Sequence, residues 1–88
     1  MAQSTYDDVL NELIKLTAEH ARRDDVTADT HFISDLALSS LKVMDLMADV
    51  EDLFDIEIPL DQLPEIRSVR DAAQQVTSLL GHGKQLIA

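Results

Sequence analysis

Apolar residues along the chain recur with helical, not strand, spacing. Tyr6, Val9, Leu10, Leu13 and Ile14, with Thr17, fall three or four positions apart, and Ser4 or Thr5 stands ready as N-cap ahead of Asp7 and Asp8. This predicts a first helix over about Ser4 to His20. Ala21 to Ser34 has no sustained period and is rich in Asp, Thr and Arg, so it reads as a long loop, with Val26, Phe32 and Ile33 pinning it to the core. A second helix is expected from Ser39 or Ser40 to about Phe54, a stretch without Gly or Pro. Ile56 to Pro59 alternates like a strand but has no partner strand, which makes it an extended link. Pro59 suits the start of a single short turn over Leu60 to Leu63, and Pro64 is expected to stop it. Ser68-Val69-Arg70-Asp71 has the form of a capping box. The stripe Val69, Ala72, Ala73, Val76, Leu79 and Leu80 follows, and Gly81 is expected to end the last helix.

The predicted fold is therefore all-α: a small bundle of three main helices plus one short helix, with a long first loop. Residues 1–81 form one domain, and 82–88 a flexible tail. A chain of 88 residues supports one modest core.

The second helix carries two apolar faces. At 100° per residue, Val43, Leu46, Met47, Val50, Leu53 and Phe54 occupy an arc of roughly 120°, the width of a core-facing stripe. Leu41, Met44 and Ala48 gather within about 60° on the opposite side, among Asp45, Asp49, Glu51, Asp52 and Asp55, where core packing does not account for them. An apolar strip rimmed by acids has the composition of a protein-docking face, the apolar centre contributing affinity and the charges guiding encounter. Scattered exposed apolar residues on a solvated helix are the plain alternative.

Charge sharpens this picture. The formal charge is −10, and between Val43 and Ile66 there are eight acids without a single Lys or Arg. Such a molecule repels nucleic acid and anionic lipid and suits basic protein surfaces. Cysteine is absent, so disulfides, thiolate metal sites and a Cys nucleophile are excluded. The acids of Asp49 to Glu57 lack the central Gly and the spacing of a calcium loop, so no metal site is expected. No apolar run approaches the roughly 20 residues needed to span a bilayer, and a soluble cytoplasmic monomer, not inserted in a membrane, is the expectation. Catalysis would need a base beside its nucleophile. Only His20, His31 and His82 are available, and the two glycines, Gly81 and Gly83, make no oxyanion-hole cluster. No catalytic residue is assigned.

Leu36-Ala37-Leu38-Ser39-Ser40-Leu41 leads from the loop into the second helix. Both hydroxyls could serve simply as caps. A phosphate on Ser40 would lie by unpaired backbone N–H groups at the positive end of the helix dipole.

Here the sequence resembles the acyl carrier protein family of phosphopantetheine-attachment, or thiolation, domains. The family's Asp-Ser-Leu, preceded by Asp-Leu-Gly-Leu, is similar to Asp35-Leu36-Ala37-Leu38-Ser39-Ser40-Leu41. Val50 to Pro59 resembles the acidic helix end and Ile-Pro link, and Ser68 to Ala72 the start of the last helix. The resemblance implies that 4'-phosphopantetheine, taken from coenzyme A by a phosphopantetheinyl transferase, is attached covalently at Ser40. Acyl groups would then be held as thioesters for fatty-acid, lipid or secondary-metabolite synthesis. It implies partner docking through Leu41, Met44, Asp45, Ala48, Glu51 and Asp52, toward a loading ligase or transferase and acyl-consuming enzymes with basic surfaces. It also implies acyl-chain lining by Leu46, Met47, Val50, Phe54 and Ile58. Three positions depart from the family pattern: Ser39 stands for Asp, Ala37 for Gly, and Lys42 puts a cation in the first helical turn, which suggests a carrier specialised to one pathway. An aminoacyl carrier and an unmodified acidic adaptor are the alternatives.

Overall fold

The computed structural model describes the backbone of residues 5–87 and the side chains of residues 5–81. Four helical elements follow in order: α1 (Tyr6–Ala21), α2 (Ser40–Phe54), the short 3-10 helix α3 (Leu60–Glu65) and α4 (Val69–Ile87). Among the described residues there is no named strand, so the all-α architecture expected from the apolar spacing is the one the chain adopts.

Each main helix starts on a side-chain cap. Thr5 and Asp8 form a reciprocal box at α1: the Asp8 N–H donates to Thr5 Oγ1 (3.2 Å) and the Thr5 N–H to Asp8 Oδ2 (3.4 Å). Ser68 and Asp71 do the same for α4, at 3.1 Å each way. These boxes satisfy donors that a helix start leaves orphaned. Arg22 closes α1, and Asp55 closes α2, in the left-handed conformation.

Val9 and Leu13 of α1, Leu46, Met47 and Val50 of α2, and Val69, Ala72, Ala73 and Val76 of α4 meet in one core. α1 packs mainly on α4 and less on α2. A hydrogen bond between His20 Nε2 and Asp49 Oδ2 (2.6 Å) ties its last turn to α2. Val26 and Phe32 enter the core from the loop and Ile58 and Ile66 from the second connection, each fully or almost fully buried.

The loop is fastened to the start of α4 by backbone hydrogen bonds. Phe32 N–H donates to the Arg67 carbonyl (2.9 Å), Val69 N–H to Thr30 (3.0 Å) and Arg70 N–H to Ala28 (2.8 Å). Arg70 adds an ion pair to Asp29 (3.0 Å), which raises its pKa above the ordinary guanidinium value. Arg23 binds Asp25 (2.7 Å) and holds that carboxyl below the usual range through the hydrogen bond it donates.

Four local expectations require correction. Ile33 is 57% exposed and does not pin the loop: residues 32–36 form a turn closed by backbone bonds to the His31 and Ile33 carbonyls, and it is Phe32, 1% exposed, that takes the inward position. Leu53 is 50% exposed; it lies at the edge of the apolar arc of α2 and in its last turn, where the core narrows. The short helix passes through Pro64 to Glu65: the proline's fixed φ suits a helical turn, and its missing N–H forfeits one bond in an element this short. α4 continues past Gly81 to Ile87. A helical Gly costs about 1 kcal/mol relative to Ala but stops a helix only by turning left-handed, and no described glycine has positive φ. The side chains of the expected tail, His82 onward, and all of Ala88 lie outside the described residues.

Candidate functional site

The start of α2 assigns different tasks to the two adjacent serines. Ser39 is the N-cap, in extended conformation (φ −74°, ψ 165°), with its Oγ accepting the Lys42 N–H at 3.2 Å. Ser40 is the first helical residue, exposed, and among the described residues its hydroxyl has no hydrogen-bond partner. No acid stands in this first turn, so the positive end of the helix dipole is left uncompensated beside that hydroxyl.

The turn before it depends on Ala37, whose φ of 56° is left-handed. It brings the Ala37 N–H onto the Ile33 carbonyl (2.9 Å) and the Leu38 N–H onto Phe32 (3.1 Å), folding the loop end back before α2 begins. Arg23 reinforces the turn by donating to the Asp35 carbonyl (3.3 Å), while the Asp35 carboxylate accepts the His31 N–H (2.8 Å).

Ser40 lies on the wall of an open cavity of about 670 Å³. The loop contributes His31, Phe32, Ile33 and Ser34; α2 contributes Ser40, Val43 and Met44; the α3 side contributes Leu60, Leu63, Pro64, Ile66 and Arg67. Most of this wall is apolar. The hydroxyl thus adjoins a hydrophobic groove large enough for a flexible chain. None of the residues expected to line an acyl chain is on this wall: Leu46, Met47, Val50 and Ile58 are buried in the core, and Phe54 packs against it half-buried. That lining was implied by the family resemblance; the groove beside Ser40 is a different surface, made by three segments meeting.

Of the expected docking residues, Leu41 is 78% and Met44 49% exposed, and Asp45, Ala48 and Asp52 are exposed beside them. Met44 also reaches the cavity wall, so the face and the groove are contiguous. Glu51 is placed differently. It is half-buried, and its Oε2 accepts the Ile58 N–H at 2.8 Å, fastening the link to the end of α2. Sequence reasoning did not place Ile33, Leu60, Leu63 or Arg67 on a groove; neither the loop around Ile33 nor the Pro59 to Arg67 stretch carries a motif that points to one.

A family model described as the phosphopantetheine attachment site matches residues 8–76. The chain is similar to an acyl carrier protein of Phenylobacterium zucineum (strain HLK1), 40% identical over 76 residues, covering 84% of this chain and 96% of that one. It is also similar to an acyl carrier protein of Rickettsia canadensis (strain McKiel), 35% identical over 75 residues, 83% of this chain and 87% of that one. A probable acyl carrier protein of Caulobacter vibrioides (strain NA1000 / CB15N) is 38% identical over 58 residues, 66% and 67% of the two chains. The chain belongs to the phosphopantetheine-attachment family, and within it to the acyl carrier proteins. It is a carrier and not an enzyme: it bears a covalent 4'-phosphopantetheine group and works with a phosphopantetheinyl transferase and acyl-handling enzymes. The site fits that group, since an exposed hydroxyl free of capping duty opens onto an apolar groove. No helix among the described residues is long and apolar enough to cross a membrane.

Proposed function

We propose that Ser40 carries the arm and that the groove beside it shelters the acyl cargo. The observation supporting this most directly is the separation of roles at the helix start: Ser39 is committed to capping, while the Ser40 hydroxyl is exposed on the cavity wall. When bound, the arm supplies a terminal thiol on which acyl groups are carried as thioesters. The chain's own residues provide the surroundings. Phe32, Val43, Leu63 and Ile66 offer apolar surface to a hydrocarbon chain, and Met44 stands between groove and docking face.

Partner enzymes with basic surfaces meet the strip of Leu41, Met44 and Ala48, guided by Asp45 and Asp52. The acids enhance encounter, and the desolvated apolar residues hold the complex. Glu51 contributes to this face indirectly, by fixing the helix end. The carrier acts as a cytoplasmic monomer in fatty-acid, lipid or secondary-metabolite synthesis, consistent with the usual role of its family.

Coenzyme A and a broad-specificity phosphopantetheinyl transferase should add one arm to the protein, as read by intact mass. Ser40→Ala should abolish the addition. Ser39→Ala should retain it while losing about 0.5–2 kcal/mol of stability with the cap. Modification persisting in Ser40→Ala would move the site elsewhere.

A further inference from the structure

The cavity beside Ser40 differs in charge from the rest of the molecule. Seventeen acids outnumber seven Lys and Arg in the chain, yet no Asp or Glu lines this wall, while His31 and Arg67 do. His31 is matched by Asp35, whose Oδ2 lies 3.7 Å from its Nδ1. Arg67 is not matched: Arg23 and Arg70 are taken by Asp25 and Asp29, but among the described residues the Arg67 guanidinium has no ion pair or hydrogen bond. Its backbone, in contrast, is fixed on both sides. The carbonyl accepts the Phe32 N–H (2.9 Å), and the N–H donates to Asp71 Oδ2 (3.0 Å).

A fixed backbone with an uncommitted guanidinium on an otherwise apolar wall suits an anion with two oxygens to offer. Arginine's planar fork matches such groups and is only weakly hydrated, so it gives up little by leaving water. On the reading of Ser40 given above, a phosphodiester is tethered to a residue of this same wall. The tether makes the contact intramolecular, so a weak interaction is populated at high effective concentration. We infer that Arg67 anchors the arm by hydrogen-bonding its phosphodiester, inclining the arm into the groove instead of solvent. Arg67 is a positioning residue in this arrangement, and a carboxylate at the far end of a cargo is the competing anion.

The test compares apo and holo forms of the wild type, Arg67→Met and Arg67→Lys. Intact mass establishes the arm first; if none is added, the Ser40 reading fails, and this inference with it. Melting curves and the 31P resonance of the phosphodiester then address Arg67 itself. At low salt the wild-type holo form should melt roughly 2–5 °C above the apo form, the gap closing as salt screens the contact. Arg67→Met should match the wild-type apo midpoint, lose the gap and shift the 31P resonance; Arg67→Lys should keep part of the gap. An equal gap and an unmoved resonance in Arg67→Met, or no gap in the wild type, overturns the inference. An Arg67 effect confined to forms loaded with a carboxylate-ended acyl group overturns it in favour of the cargo.

Discussion

Replacing Ala37 by Gly should stabilise the protein although it removes atoms. Ala37 is held at φ 56°, where a residue bearing a Cβ pays about 1–2 kcal/mol and glycine pays nothing. Its side chain is exposed, so no core packing is lost with the methyl. Against this gain, glycine loosens the unfolded chain by about 0.4–1 kcal/mol. The balance is a gain of about 0.5–1 kcal/mol, or roughly 3–6 °C in melting temperature for a domain of this size. Urea titration should show a raised midpoint with an unchanged slope, since the surface buried on folding is the same. Ala37→Val should move the other way, because a β-branched side chain fits that conformation worst. If Ala37→Gly lowers the midpoint while Ala37→Val leaves it unchanged, the turn before Ser40 is not left-handed and the reasoning fails.

Met44→Ala should slow loading by partner enzymes while preserving the helical circular dichroism, because half of this side chain is in solvent. Asp45→Lys with Asp52→Lys should slow association and flatten its salt dependence, whereas Glu51→Gln should lower stability more than docking, since its carboxylate accepts the Ile58 N–H. Salt or magnesium should raise the melting midpoint of the −10 chain by relieving self-repulsion; a flat or falling midpoint in thermal scans from low salt would contradict this.

The helices could be read from the sequence because their apolar periods, caps and breakers are local. Ser68 and Asp71 were found from a four-residue pattern, and Leu46, Met47 and Val50 from one wheel, and all five sit where those patterns required. Errors arose where position depends on what lies opposite. Leu53 has the right phase for the core but sits half in solvent in the last turn, and Ile33 is apolar but lies on the open groove wall and not in the core. The groove was the least visible feature, since its wall draws on the loop, α2 and the α3 connection, brought together only by tertiary pairing. The Ser39-Ser40 pair stood out through its motif, but which of the two serines caps the helix rests on a single hydrogen bond that no local pattern specifies.

The backbone bonds between the loop and the start of α4 give the groove one stiff wall and one soft wall. The amides of Phe32, Val69 and Arg70 can exchange with solvent only when the loop detaches from α4, which would also withdraw Phe32 from the core. Opposite them, α3 has no fully buried residue and carries a proline inside it, so it can open at little cost to the bundle. Slow amide exchange along the loop beside fast exchange in α3 would be the signature. On the proposed reading of the groove, a hydrocarbon chain would enter and leave by yielding at α3, and the three long helices need not loosen for each delivery.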